Sequence, residues 1–164
     1  MDKNIYHKGV KKMFDFDDKI TLGVFAGLIG NTVKIIFEFF IYRFDRTIEP
    51  LSHLATTSVF PEGTHDKISH LIIGIYADYT IASILGILIV YLLLYTGTKH
   101  FILKGIVVSS FAWLIIYIPV RNFGIVEIMP TTFRGNLVHL ISHILIGIIL
   151  SLVIIIFGKN IIKK

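Results

Sequence analysis

Cysteine is absent from this chain, so it offers no disulfide framework, no thiolate metal site and no cysteine nucleophile. Charge is scarce too. Asp, Glu, Lys and Arg make up 16% of the 164 residues, against about 25% in soluble domains. The deficit is filled by apolar residues, at 54% of the chain and a mean hydropathy of +0.77. Ordinary globular, disordered, collagen-like and disulfide-scaffold classes are excluded on these grounds, and the length suits one domain.

Other absences narrow the reading further. No clear internal repeat is present, although the first and second helix pairs could be distantly related hairpins. No signal peptide is apparent, because the first apolar segment starts near residue 20 and is too long for an h-region. That segment is expected to stay attached as a first span. The net charge of +5 does not point to nucleic acid, since the lysines sit in tails and short turns beside apolar blocks. Lysine outnumbers arginine twelve to four and isoleucine is abundant. Both suit AT-rich coding, and so a bacterial source.

What is present is a set of long apolar runs. A bilayer core needs about 20 mostly apolar residues. Four runs qualify, at about Ile20–Tyr42, Ser69–Tyr95, Phe101–Val120 and Leu137–Phe157. None alternates as a barrel strand would. The expectation is an all-α, four-helix transmembrane bundle over residues 20–158, with tails at 1–19 and 159–164. Ten basic residues fall on one side and five on the other, with Lys34 left inside the first span. The positive-inside rule then makes both termini cytoplasmic and turns the segments 43–68 and 121–136 outward.

Ionisable residues inside a span cost about 2.5–3.5 kcal/mol each at its centre. The first span nevertheless carries Asn31, Lys34 and Glu38, the second Asp78, and the fourth His139 and His143. Helical spacing puts Gly23, Gly27, Gly30, Asn31, Lys34 and Glu38 on one face. It does the same for His70, Gly74, Asp78 and Ala82, followed by Gly86, and for His139, His143, Gly147 and Ser151. In the third span, Ser109 or Ser110 is followed by Trp113 and Tyr117. Small and polar faces pack inward in lipid. Depth puts Lys34, Glu38, His70, Asp78, His139 and His143 in the outer halves of their helices. One polar cluster of Asn31, Lys34, Glu38, Asp78 and His143 is therefore expected in the outer leaflet, with the glycines as packing positions.

Lys34 has two candidate partners: Glu38 one turn away, or Asp78 across to the second helix. An ion pair that only docks helices is one reading. A carboxylate able to carry a proton or cation is the other. His139 and His143 form H-x-x-x-H, a spacing known from zinc and haem sites, but H-E-x-x-H and a completing ligand are missing. In the outer segment, His53, His65, Asp66 and His70 could make a surface metal site but read more simply as solvated. Phe37, Phe39, Phe40, Tyr42 and Tyr95 read as interfacial anchors, and Asp15, Asp17 and Asp18 as a solvated turn. The glycines read as packing positions, because a nucleotide site would need a strand, a loop and a helix in that order.

Taken together, TLGVFAGLIGN, GIYADYT, VYLLLYTGTKH and LISHILIGIILSL resemble small, uncharacterised four-span membrane proteins of low-GC Gram-positive bacteria. The resemblance implies that architecture and a multi-pass place in a bacterial plasma membrane. It carries no activity, ligand or cofactor. Three functions are open: a small transport or channel-like protein, a structural or regulatory membrane partner, and a metal- or haem-dependent membrane enzyme. An enzyme is the least expected. The lipid bilayer is the expected surrounding, no cofactor is called for, and transport would favour a homo-oligomer with the first helix's glycine stripe as its interface.

Overall fold

The computed structural model describes residues 16–60, 68–122 and 132–162, less the side chains of residues 117 and 120–122. Among them the chain is all-α and forms a helical bundle. Its elements are α1 (Lys19–Phe44), α2 (Leu51–Val59), α3 (Ile68–Thr96), α4 (Phe101–Asn122), α5 (Phe133–Phe157) and α6 (Lys159–Ile162). Helices α1, α3 and α5 are each long and apolar enough to cross a membrane, as a multi-pass membrane protein requires. Their 26, 29 and 25 residues span about 37–44 Å at 1.5 Å per residue.

Local signals set the helix ends. Asp18 caps α1, its carboxylate accepting the Thr21 N–H at 2.6 Å and the Thr21 hydroxyl at 2.7 Å. It is therefore more than a solvated turn residue. Thr132 caps α5 by accepting the Gly135 N–H at 3.1 Å. That cap draws the polar turn 133–136 into the helix, which starts four residues before the expected Leu137. Between α3 and α4, Gly97 adopts φ +76°, a left-handed conformation that glycine takes without strain. There the Lys104 ammonium donates to the carbonyls of Thr96 and Gly97 at 3.0 and 2.7 Å, satisfying groups orphaned at the end of α3.

Helix α1 lies between α3 and α5, α5 packs α4 on its other flank, and α3 touches α4 far less. Glycines set the α1–α3 contact. A β-carbon on Gly27 would stand 2.5 Å from the Ser83 Cα, one on Gly23 2.5 Å from the Ile87 Cα, and one on Gly86 would strike the Gly23 carbonyl. On the other side, Gly30 meets Ile146 and Leu150, while Gly147 sits against the Gly105 carbonyl. The glycine stripe of α1 is thus filled by α3 and α5 of the same chain. Its close contacts are made within one chain. Around it lies an apolar core of Leu22, Ala26, Leu85, Ile89, Leu150 and Ile154.

Two further expectations are corrected. The segment 43–68 is not wholly a loop, because α2 forms inside it and packs on α3, with Gly74 lying directly beneath Thr56 and Ser52. The tail after residue 158 makes the single turn α6, which buries Ile161. Residues 1–15, His65, Asp66, Pro130, Lys163 and Lys164 lie outside the described residues, as do the side chains of Tyr117 and Arg121.

Candidate functional site

The polar residues gather at the end of the bundle where α1 finishes and α3 and α5 begin. Helical periodicity turns Asn31, Lys34 and Glu38 to the inside of α1, and the glycine contacts bring α3 close enough for Asp78 to meet them. The Lys34 ammonium donates to Asp78 Oδ1 at 2.6 Å, and the Asn31 amide donates to Asp78 Oδ2 at 3.2 Å. Both carboxylate oxygens of Asp78 are therefore occupied. Lys34 is 2% exposed and Asp78 8%, so the pair is largely withdrawn from solvent. Between the two candidate partners of Lys34, the direct contact goes to Asp78.

Glu38 has a different task. It is 2% exposed, and its Oε2 accepts the Leu51 backbone N–H at 3.0 Å. Leu51 opens α2, whose N-cap is Pro50 and supplies no side-chain cap. A carboxylate from another helix thus stands where an N-cap would, favoured by the amides and dipole of the helix start. The second oxygen, Oε1, has no hydrogen-bond partner. The hydroxyl of neighbouring Ser142 gives its proton to the Val138 carbonyl at 3.0 Å.

The two histidines of α5 serve different helices. His139 Nε2 lies 2.9 Å from the Glu49 carbonyl, and His143 Nδ1 lies 3.1 Å from the Ser109 carbonyl. A carbonyl can only accept, so those nitrogens carry the protons. His139 Nδ1 is then a bare acceptor with no partner. Lys34 lies within electrostatic reach of Glu38, His139 and His143, which makes it the shared positive charge of the cluster. The rings are committed to separate carbonyls, and no group of three or more His, Cys, Asp or Glu able to hold a metal occurs among the described residues. The H-x-x-x-H pair thus ties α5 to the Glu49 carbonyl before α2 and to the Ser109 carbonyl of α4.

The cluster expected from the sequence is Asn31, Lys34, Glu38, Asp78 and His143. The structure joins Asn31, Lys34 and Asp78 by direct contacts, leaves Glu38 one turn from Lys34, and turns His143 to the Ser109 carbonyl of α4. Sequence reasoning missed what α2 contributes. His53 pairs with Glu49 at 2.6 Å and fits between the rings of Phe39 and Tyr42, at 5.6 and 5.3 Å. Those two aromatics hold α2 as well as any interface. Arg46 lies 4.5 Å over the Tyr42 ring, and His70 stacks on Phe60 at 4.1 Å. Pro50 before LSHLATT was the available signal, since proline marks helix starts.

Chemically, the cluster holds one lysine and two carboxyl groups. With all three ionised it carries one surplus negative charge, beside unpartnered acceptors at Glu38 Oε1, Asn31 Oδ1 and His139 Nδ1. Such an arrangement can accommodate one proton or one small cation. Set against protein-family models, curated proteins and solved structures, the chain matches none.

Proposed function

We propose that the chain is a four-span protein of a bacterial plasma membrane, with both termini cytoplasmic, that handles a proton or small cation in a transport-type role. In this reading α4 is also a span, the third in chain order, and its 22 residues cover about 33 Å at 1.5 Å per residue. The cluster then lies in the outer leaflet beneath α2. The observation that carries the reading is the surplus of buried acceptors around the single Lys34 ammonium. A network serving only to dock helices normally satisfies its members, because each unpaired buried polar group costs free energy.

A second reading follows from another observation. Asp78 is fully paired and the opposite half of the bundle is packed with apolar side chains, as a structural or regulatory membrane partner would need. Proton and alkali-cation flux in proteoliposomes separates the two. Flux in the parent that disappears in Asp78→Asn, at equal folded incorporation, supports handling of ions. No flux in either protein transfers the weight to the structural role. A through-route formed by several copies would need a face other than the filled glycine stripe.

A further inference from the structure

We propose that Glu38, rather than Asp78, is the group that takes up and releases a proton, and that α2 is a latch held closed by the Glu38 carboxylate. The inference rests on the reading of the cluster as an ion-handling site. Asp78 has a donor on each oxygen, at 2.6 and 3.2 Å. Glu38 has one backbone N–H on Oε2, and beside it only the hydroxyl of Ser142, which donates to the Val138 carbonyl and leaves Oε1 without a donor, although Glu38 is 2% exposed. It is the carboxylate with room for a proton.

The groups around it come from every neighbouring element. Lys34 lies one turn back on α1 and Asp78 faces it from α3. From α5 comes Ser142, with His139 and His143 in the field of Lys34. From α2 comes the Leu51 N–H, next to the Glu49–His53 pair. Lys34 and Asp78 offset each other, so the ionised Glu38 carries the surplus charge. The start of α2 is what offsets that charge from outside the pair. When a proton from outer water adds to Glu38, no other covalent bond changes, but Oε2 becomes a weaker acceptor. Helix α2 then loses that anchor and is left with the His139–Glu49 bond at its start, the contacts of Thr56 and Phe60 with the first turns of α3, and the seat of His53 between two rings. Loosening α2 opens the Lys34–Asp78 pair to the outer solution.

The chain has no cysteine of its own, so paired spin labels can be placed cleanly at the exposed positions Ser58 on α2 and Thr96 at the far end of α3. Their distance distribution is measured in lipid nanodiscs from about pH 9 to about pH 4, covering ordinary carboxyl and histidine ranges. The expected result is one narrow distance at high pH that shifts and broadens on acidification, with the shift lost in Glu38→Gln and kept in Asp78→Asn. A distribution independent of pH, or a shift unchanged in Glu38→Gln, overturns the inference. If Glu38→Gln does not fold, isotope-edited infrared spectra of the parent take its place. A buried carboxylic-acid band that appears on acidification must move with labelled glutamate, and one that moves only with labelled aspartate overturns it. Flux recorded on the same protein separates the two readings. A pH-driven shift without flux keeps the latch and removes transport, whereas flux with a fixed α2 removes the latch alone.

Discussion

The two halves of the bundle are built from the same three helices, α1, α3 and α5, and are held by different forces. In the half nearest residue 20, Gly23, Gly27 and Gly86 let α1 and α3 touch backbone to backbone, and Leu22, Ile89, Leu150 and Ile154 fill the rest. In the half beneath α2, the helices meet through Lys34, Asp78, Asn31 and Glu38. Lipid supplies no hydrophobic drive for helix association, which leaves close packing and polar pairing as the two means. This molecule uses one in each half. The packed half holds its helices by apolar contact and makes no ion pair among the described residues. The polar half has unpartnered acceptors and a short helix on top, and so can exist in more than one protonation state.

The largest effect is expected from breaking the polar half. Lys34→Met leaves the buried Asp78 carboxylate without its cation and should cost about 3–5 kcal/mol, read as the unfolding midpoint in detergent. Lys34→Met combined with Asp78→Leu should recover most of that loss, because an apolar pair can replace a buried ion pair at little cost. A double variant no better than the single one would show that the pair does not govern stability here. Next comes the packed half. Gly27→Ala places a β-carbon 2.5 Å from the Ser83 backbone and should cost about 1–3 kcal/mol as overpacking. The same change at Gly97, where nothing lies within 4 Å, meets no neighbour and tests only the left-handed backbone.

The contrast between halves also explains what the sequence could reveal. The apolar runs located α1, α3 and α4 to within about two residues, the usual uncertainty at helix ends, because length and apolarity are properties of each segment alone. The inward stripe was legible for the same reason, through spacing of three and four. Which helix would meet which was not legible. The choice of Asp78 over Glu38 for Lys34 depends on how closely Gly27 and Gly86 let α3 approach. Helix α2 was missed because its nine residues include four hydroxyl side chains and too little apolar surface to mark it. It stands on Glu38, His139 and Gly74, all distant in sequence. The glycine stripe could be read for close packing but not for which helix meets it, because a small-residue face does not name its partner.

Smaller effects belong to the helix ends outside both halves. Thr132→Ala removes the side chain that accepts the Gly135 N–H at 3.1 Å and should cost about 1 kcal/mol in the same unfolding assay. Asp18 offers the subtlest test, since its role depends on charge. The hydroxyl and backbone N–H of Thr21 hold its carboxyl below the ordinary range. A folded-state value lower than the unfolded one means that the unfolded chain binds more protons between the two values. The stabilisation is therefore complete above the ordinary carboxyl value of about 3.9 and fades as pH falls through the lower folded value. Asp18→Asn keeps a capping oxygen but has nothing to titrate there. Its unfolding midpoint, followed downward from neutral pH, should run parallel to the parent's and then fall less steeply on the acid side. If the two curves stay parallel throughout, Asp18 caps α1 by geometry alone, and its charge contributes nothing to holding that end of the packed half.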